Sequence, residues 1–354
     1  MKNLRWLLLP FSLLYGLVVI IRNWCYDAGL LKSHGFGIPV ISVGNLDVGG
    51  AGKTPMTEYL VRLLKDHYKL ATLSRGYGRE TRGFFTATAN ASSREIGDEP
   101  AQFKQKFREI TVAVCEKRVE GIKRLQKDHK LIILDDAYQH RAVKLSQSIL
   151  LFDYNRINEP HLLLPAGNLR EPFSSRQRAD VLVISKCPVE LSVDEQARIT
   201  ERIKPLPFQA MFFTSIAYLP LQDIDGHKVN TTIDTNTTVF LLTGIANPNP
   251  LLQHIKKYTA HVIHHNYPDH HQFSLKNITK LADEFSAADT QKKVIVTTEK
   301  DAQRLVEHEL QAIIKTLPIL VMPIGVQFLN DSQQQFDLLV TKHVREHTAN
   351  YRIH

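Results

Sequence analysis

The sequence predicts an α/β protein with a parallel sheet flanked by helices, a second and smaller α/β lobe, and an N-terminal helix that associates with a membrane. Three observations predict this architecture. Short apolar strand segments alternate with amphipathic helical segments, as in parallel β-α-β units. That pattern restarts after about residue 215, and the first 30 residues are mostly apolar. We therefore expect a helix at 1–30, a main α/β domain at 31–215, and a C-terminal lobe at 216–354 that closes over it.

The composition is that of a globular protein. Of the 354 residues, 43% are hydrophobic and 23% are charged, and the chain is long enough for two cores. A net charge of +8 favours an anionic partner, whether a membrane surface, a phosphorylated substrate or nucleic acid. The cysteines, Cys25, Cys115 and Cys187, lack metal or disulfide spacing and suit a reducing compartment.

The N-terminal segment from Trp6 to Ile21 is almost wholly apolar and has cations on both sides. As a helix of about 16 residues it would be ~24 Å long, shorter than the ~30 Å hydrocarbon core of a bilayer. An interfacial anchor therefore fits better than a full span. The alternatives are a cleavable signal peptide, for which no small-residue cleavage site follows, and a core helix that never touches lipid.

The stretch from Pro39 to Pro55 runs from an apolar strand through a glycine-rich loop into a helix, as in a P-loop NTPase. Successive N–H groups of such a loop point at an anion, and the helix adds its positive dipole end. Lys53 would reach the β- and γ-phosphates of ATP, and Thr54 would hold Mg²⁺. Asp47 replaces the first glycine of the usual pattern, so the loop is a variant, and the alternative is a glycine-rich turn unrelated to phosphate. The residues expected to contact the nucleotide are Gly49, Gly50, Ala51, Gly52, Lys53, Thr54 and Pro55.

Two turns follow at the same edge of the predicted sheet, where open α/β folds bind ligands. The first is rich in glycine and arginine, and its Arg75, Arg79 and Arg82 are either anion-binding or solvated surface residues. The second has the sequence GDEP at 97–100. In it, Asp98 is equally well interpreted as a general base or as the N-cap of the next helix.

A buried strand farther along ends in two acids, Asp135 and Asp136. This is the pattern of a Walker B strand, which delivers a carboxylate to Mg²⁺. Acids at the end of an apolar strand are costly unless a cation or hydrogen bonds compensate them. Gln139 and His140 follow directly, so their polar groups can face the same pocket.

The second lobe has no glycine-rich loop, and between its strands lies HHNYPDHH at 264–271. Four histidines suggest a metal site, but neighbouring histidines rarely converge on one ion and no further spaced ligand accompanies them. A charged or proton-handling loop that faces the cleft is the favoured interpretation.

Eight motifs cover nearly the whole chain in this order: VGNLDVGGAGKTP behind an apolar helix, LSRGYGR, GDEP, LDDAYQHR, LLPAGNLREP, LLTGIANP, YPDHH and VTTEKDA. Together they resemble the tetraacyldisaccharide 4'-kinase family of lipid A biosynthesis, whose phosphate loop also lacks the first Walker glycine. The resemblance implies transfer of the γ-phosphate of ATP to the 4'-hydroxyl of a tetraacyldisaccharide 1-phosphate. It also implies a peripheral or monotopic enzyme at the cytoplasmic face of the inner membrane of a Gram-negative bacterium.

The resemblance further implies roles for single residues. Asp98 is similar to the family's catalytic base and His270 to its partner in a dyad, and Lys53 completes the catalytic set. Mg²⁺ is expected at Thr54, Glu99, Asp135 and Asp136. Contacts with the substrate are expected from Asn45, Arg75, Arg118, Gln139, His140 and Arg170. The expected partners are the lipid A precursor and the membrane surface, with no nucleic acid and no obligate protein partner.

Physical reasoning agrees with this assignment, because phosphoryl transfer needs mostly positioning and charge neutralisation. The proposed base and its histidine lie in different predicted lobes, so the dyad would assemble only when the lobes close. Two other classes of protein remain open. One is a P-loop ATPase of the partitioning or maturation type, which usually has a lysine where this chain has Asp47. The other is a membrane-associated nucleotide-binding module, which would bind ATP without phosphorylating a lipid.

Overall fold

The computed structural model of the protein describes residues 2–89, 91–305 and 309–350. Met1, Asn90, 306–308 and 351–354, which fall within the predicted units, lie outside the described residues. Within the described ranges the strands form two sheets, one of nine strands and one of four.

The strands of the larger sheet are β1 (Val40–Asn45), β2 (Leu70–Ser74), β3 (Phe85–Thr86), β4 (Thr111–Val114), β5 (Leu131–Asp135), β6 (Gln147–Asp153), β7 (Val181–Ser185), β8 (Ala210–Tyr218) and, late in the chain, β13 (Ile324–Phe328). Those of the smaller sheet are β9 (Thr238–Thr243), β10 (Val262–Asn266), β11 (Lys293–Thr298) and β12 (Ile319–Met322).

The α-helices of the described chain are α1 (Leu9–Asp27), α2 (Lys53–Leu64), α3 (Ser93–Ile96), α4 (Asp98–Lys106), α5 (Arg118–Leu125), α6 (Val193–Ile203), α7 (Asn249–Lys256), α8 (Leu275–Ala287), α9 (Glu299–Leu305), α10 (Gln311–Ile314) and α11 (Gln333–Asn350). Short 3₁₀ segments lie at Lys2–Leu8, Tyr154–Arg156 and Phe173–Arg178.

The larger sheet has the order β13-β8-β7-β6-β1-β5-β2-β4-β3, and its neighbours are parallel except at the two edges. β1 lies in the middle between β5 and β6, and all of its residues are buried, which explains why its sequence, VISVGN, contains no charged residue. Since β5 is its neighbour, the acids at the end of β5 emerge beside the loop that follows β1. The predicted P-loop NTPase-like parallel sheet is confirmed.

The chain returns to the larger sheet after it has built the smaller one. β13 pairs antiparallel with β8, and α11 packs Phe336, Val340 and Val344 into the core that also contains Met56 of α2. Tyr59 of α2 donates a hydrogen bond to Asp337 of α11 at 2.6 Å. The smaller sheet is thus inserted between β8 and β13, and the last strand and helix belong to the larger sheet. The expected unit 216–354 differs from this arrangement, because it would place that strand and helix in the smaller lobe.

The smaller sheet is parallel throughout, in the order β10-β9-β11-β12. Its two faces are covered separately, one by a cluster around Phe240 and Leu281 and the other by a cluster around Leu241 and Ile255. This is the doubly covered arrangement that parallel strands require. The predicted second α/β lobe is confirmed as a sheet of its own.

Helix α1 continues past the apolar stretch 6–21 to Asp27 and lies within the expected unit 1–30. The apolar helical stretch Arg5–Asp27 has 23 residues and is by length and composition alone able to cross a membrane. Only 17% of its apolar window is buried. Polar residues near the end of α1 remain helical, so the helix extends beyond the apolar stretch.

α1 is attached to the body along one face. Ser12 Oγ accepts the N–H of Ala166 at 2.9 Å, and Tyr15 Oη donates to the carbonyl of Arg170 at 2.8 Å. A side chain at Gly16 would collide with Leu163, so glycine permits this close approach. The remaining faces expose large apolar side chains, among them Leu13, Leu17, Ile20 and Trp24.

Candidate active site

The phosphate loop leaves β1 and enters α2 through residues with left-handed backbone. Gly49 has φ 109° and Gly52 has φ 80°, conformations that glycine adopts without strain. α2 begins at the next residue, Lys53, without a hydrogen bond from a capping side chain. Its first N–H groups are therefore available to an anion. The predicted nucleotide-contacting stretch 49–55 forms one continuous turn into a helix N-terminus.

Side chains from neighbouring strands bind the carbonyl oxygens of this loop. Arg156 Nη1 donates to the carbonyl of Val48 at 2.8 Å, and Ser185 Oγ donates to that of Ala51 at 2.7 Å. A trans peptide directs its N–H away from its C=O, so a carbonyl bound from outside leaves the next N–H facing inward. This is the orientation that an anion site made of backbone N–H groups needs.

Lys186 makes a third contact of this kind. Its Nζ donates to the carbonyl of Gly50 and, at 2.7 Å, to Asp153 Oδ2. Sequence reasoning missed Lys186, Ser185 and Arg156. The available signal was their position at or just after the ends of β6 and β7, two buried strands of the same sheet.

Lys53 lies among residues that the sequence predicted to share its site. Its Nζ donates to Asn45 Oδ1 at 3.1 Å and is 3.7 Å from Asp136 Oδ1. Arg170 Nη1 donates to both carboxylate oxygens of Asp136, at 3.0 and 3.1 Å. Asp136 has φ 48°, an unusual conformation for a residue other than glycine. Two cations and one carboxylate thus meet at the mouth of the phosphate loop.

Asp135 lies behind this group and is 2% exposed. Burial, followed by the nearby carboxylates of Glu99 and Asp136, raises its pKa to about 7. Thr57 Oγ1, rather than Thr54, donates to it at 3.3 Å. When they are ionised, the carboxylates of Glu99, Asp135 and Asp136 repel one another. Mg²⁺ prefers oxygen ligands and would relieve this repulsion, so the residues present fit that ion.

Arg75 and Arg118 make the surroundings of His140 positively charged. Burial and then the charges of Arg118 and Arg75 lower the pKa of His140 to about 4, so the imidazole is neutral at physiological pH. Arg118 is buried and donates to a backbone carbonyl at 2.7 Å, which leaves little of its guanidinium open to a ligand. Gln139 Nε2 donates to the carbonyl of Asn45 at 2.8 Å, which ties this segment to the end of β1.

The structure brings Asp98 and His270 together from the two lobes. Asp98 is the first residue of α4, and its Oδ2 is 3.4 Å from Nδ1 of His270, which lies in the loop after β10. The interpretation of Asp98 as the N-cap of this helix is wrong, because Gly97 occupies that position and no side chain caps the helix. The carboxylate is therefore not used to cap its own helix.

Two cations on α9, which sequence reasoning missed, face the GDEP turn. Lys300 Nζ donates to Glu99 Oε1 at 3.0 Å, and Arg304 Nη2 donates to Asp98 Oδ2 at 2.7 Å. Positions four apart lie on one face of a helix, so α9 presents both cations to the two consecutive acids. The signal in the sequence was a run of charged residues directly after the apolar strand β11.

The other histidines of the HHNYPDHH stretch have separate partners. His264 Nε2 lies 2.8 Å from Thr243 Oγ1, and His271 Nε2 lies 3.1 Å from Asn277 Oδ1. In the part of the chain that the structure describes, these histidines form no cluster with metal-ligand spacing.

Comparison with known proteins gives concordant results. Residues 4–345 match the profile of the family described as Tetraacyldisaccharide-1-P 4'-kinase. The chain is 41% identical to a tetraacyldisaccharide 4'-kinase of Bacteroides thetaiotaomicron, covering 98% of this chain and 94% of that protein. It is 40% identical to the enzyme of that name from Flavobacterium johnsoniae, covering 98% and 99%. A crystal structure of LpxK from Aquifex aeolicus in complex with ATP is similar, with a TM-score of 0.75, 28% identity, and coverage of 96% of this chain and 99% of that one.

Proposed function

This chain belongs to the tetraacyldisaccharide-1-phosphate 4'-kinase family, and from that premise we propose how its residues transfer the γ-phosphate of ATP to the 4'-hydroxyl of a tetraacyldisaccharide 1-phosphate, a lipid A precursor. One contact carries the assignment of roles. Gln102 of α4 donates to Glu58 of α2 at 2.8 Å, so the helix that begins with Asp98 packs beside the helix that begins with Lys53. The acceptor side and the nucleotide side of the reaction therefore meet at one place.

On the nucleotide side, the N–H groups of the phosphate loop and the start of α2 bind the phosphates, and Lys53 neutralises charge on the β- and γ-phosphates. Arg170 also binds Asp136, at 3.0 Å, and adds a second cation. Thr54, Glu99, Asp135 and Asp136 would hold Mg²⁺, which supplies further charge neutralisation when bound.

On the acceptor side, Asp98 accepts the proton of the 4'-hydroxyl as its oxygen attacks the γ-phosphorus and the bond to the β-phosphate breaks. His270 lies 3.4 Å away and positions the carboxylate. The neutral His140 and the charged Arg75 offer hydrogen-bonding and cationic groups to the sugar and its 1-phosphate.

The lipid reaches this site along α1. Tyr15 of α1 binds the carbonyl of Arg170, whose guanidinium binds Asp136, so a single residue separates the apolar helix from the active site. We propose that the exposed apolar face of α1 lies in the cytoplasmic leaflet of the inner membrane. Two of the cations that flank the apolar stretch also contact the body, since Arg22 pairs with Glu171 and Arg5 donates to the carbonyl of Gly167 at 2.7 Å.

The test is to incubate the protein with Mg²⁺, labelled ATP and detergent-dispersed tetraacyldisaccharide 1-phosphate. We expect a phosphorylated lipid with wild type, and a rate lower by roughly 10²–10⁴-fold with Asp98→Ala, the usual contribution of a general base. ATP affinity of that variant should be unchanged. ATP hydrolysis that is indifferent to the lipid would instead identify an ATPase, and full transfer by Asp98→Ala would reject the base.

A further inference from the structure

Arg304 lies where the two lobes meet, two residues beyond the last sequence motif. Its side chain is completely buried and comes from α9 of the smaller lobe. Resting on the proposed function, in which Asp98 is the base, we propose that Arg304 is a positioning residue for that base. It fixes the carboxylate of Asp98 by one oxygen, leaves the other oxygen for the acceptor hydroxyl, and connects the carboxylate to His270.

The contacts with Asp98 are all made to the same oxygen. Arg304 donates to Oδ2 through Nη2 at 2.7 Å and through Nε at 3.2 Å, and His270 Nδ1 is 3.4 Å from that atom. A structural arginine–carboxylate pair commonly uses two parallel bonds, one to each oxygen. Here both donors converge on Oδ2, and among the described residues no hydrogen bond reaches Oδ1. That oxygen is free to take a proton.

Arg304 also contacts His270. Its Nη2 lies 3.2 Å from His270 Nδ1, and the same Nη2 donates to Asp98 Oδ2 at 2.7 Å. The other ring nitrogen, Nε2, faces Asp269 at 3.9 Å. One guanidinium nitrogen therefore contacts both expected members of the dyad.

A single glycine holds this arrangement in place within the smaller lobe. The carbonyl of Gly244 accepts Arg304 Nη1 at 3.0 Å and the backbone N–H of His270 at 3.1 Å. Its N–H donates to Asp301 Oδ2 at 3.0 Å, and Asp301 Oδ1 accepts Arg304 Nη1 at 3.0 Å. Asp301 is fully buried and compensates the buried guanidinium. The smaller lobe thus presents Arg304 and His270 as a fixed pair, to which the larger lobe contributes Asp98.

The test is a double-mutant cycle on the single-turnover rate of phosphate transfer at saturating ATP. We expect Arg304→Gln to slow transfer by about 10–10²-fold, with the KM for ATP unchanged, and Arg304→Lys to recover part of the loss. If Arg304 acts through Asp98, the change should lose its effect once the base is gone. Arg304→Gln/Asp98→Ala should then be no slower than Asp98→Ala alone.

Gln303→Met is the matched control, because Gln303 is the neighbouring residue on α9 and binds Gln105 of the larger lobe without touching Asp98. Any slowing that it causes should be the same factor with and without Asp98. If Arg304→Gln also slows transfer by the same factor with and without Asp98, the proposal is overturned. An arginine that only stabilises the fold would act independently of Asp98 in this manner. If melting curves show that Arg304→Gln does not fold, Arg304→Lys carries the same cycle. An active Asp98→Ala enzyme would reject the base itself, which is a failure of the proposed function and is seen before Arg304 is changed.

Discussion

Lys53 is the single residue on which the nucleotide side of the site depends most directly. Its ammonium group donates to Asn45 Oδ1 at 3.1 Å and to the carbonyl of Gly49 at 3.4 Å, and it lies 3.7 Å from Asp136 Oδ1. Lys53→Ala should lower kcat by roughly 10²–10³-fold, because the charge is needed against the phosphates in the transition state. The melting temperature should change little. Lys65→Ala is the matched control, since Lys65 lies at the other end of α2 and pairs with Glu109 on the surface. Turnover by Lys53→Ala within about threefold of wild type would reject the phosphate-loop assignment.

Asp135 makes stability depend on pH. Its pKa, raised to about 7 by burial and by Glu99, lies above the ~3.9 of an unfolded aspartate. The native state therefore holds this proton more tightly, so the contribution to stability is complete below about pH 4 and is lost as pH rises through 7. Without Mg²⁺, the free energy of unfolding should fall as pH rises from about 4 to about 7, and Asp135→Asn should flatten the fall.

Urea unfolding at several pH values tests this prediction. Glu58 has a pKa raised to about 7, mainly by burial, and contributes a slope of the same sign that persists in Asp135→Asn. The quantity to compare is therefore the difference in slope between the two proteins. Equal slopes would mean that Asp135 is ionised throughout this range.

Local sequence patterns predicted those residues whose role is indicated by their neighbours along the chain. Lys53 follows glycines, Asp135 ends a buried strand, and Asp98 and His270 lie in motifs that a family resemblance identified. Arg304 could not be found in this way, because its partners come from α4, from the segment after β9 and from α9 itself. Only the tertiary approach of these segments buries its charge.

At the level of elements, α1 gives the clearest test of membrane contact. Leu13 and Leu17 are one helical turn apart and more than half exposed, whereas Ser12 and Gly16 beside them hold the helix to the body. Leu13→Glu/Leu17→Glu should lower the fraction of protein that sediments with vesicles and raise the KM for lipid. ATP affinity should stay the same, because the attachment of α1 is intact.

The control for this change is Leu338→Glu, which places a charge at a similarly exposed leucine on α11. That variant should sediment as wild type does. If the α1 variant also sediments normally, the membrane-binding surface lies elsewhere on this basic protein.

Strong local signals explain which elements the sequence predicted. β1 and β5 are mostly apolar, the phosphate loop is rich in glycine, and α2 has the apolar spacing of an amphipathic helix. β13 and α11 have helical or strand periodicity too, but nothing in Phe336, Val340 or Val344 tells which sheet they cover. The partner of an edge strand is decided by tertiary packing. The predicted boundary at residue 215 therefore did not show that β13 returns to the larger sheet.

For the whole molecule, the contact between lobes contains an ionic bridge. Lys106 of α4 binds Glu58 of α2 and, at 2.5 Å, Glu299 of α9. Lys106→Met would remove the cation that joins Glu58 to Glu299, and the loss of this bridge should weaken the contact between the lobes. We expect a larger radius of gyration in solution scattering and a kcat lower by at least about tenfold, with ATP affinity little changed.

Lys104→Met is the control, since Lys104 donates to the carbonyls of Arg108 and Ile110 within the larger lobe. It should alter neither the radius of gyration nor the relation between kcat and KM. An unchanged radius together with normal kcat for Lys106→Met would show that the ionic bridge does not hold the lobes together.

The return of β13 and α11 to the larger sheet bears on how the protein is made. The face of α2 that carries Tyr59 is covered by Phe328 and Phe336, which leave the ribosome only after the smaller lobe has been synthesised. Because the chain is synthesised at about 5–20 residues per second, that face of α2 stays exposed for tens of seconds. A chain that terminates before Phe328 therefore leaves this face of α2 exposed to solvent.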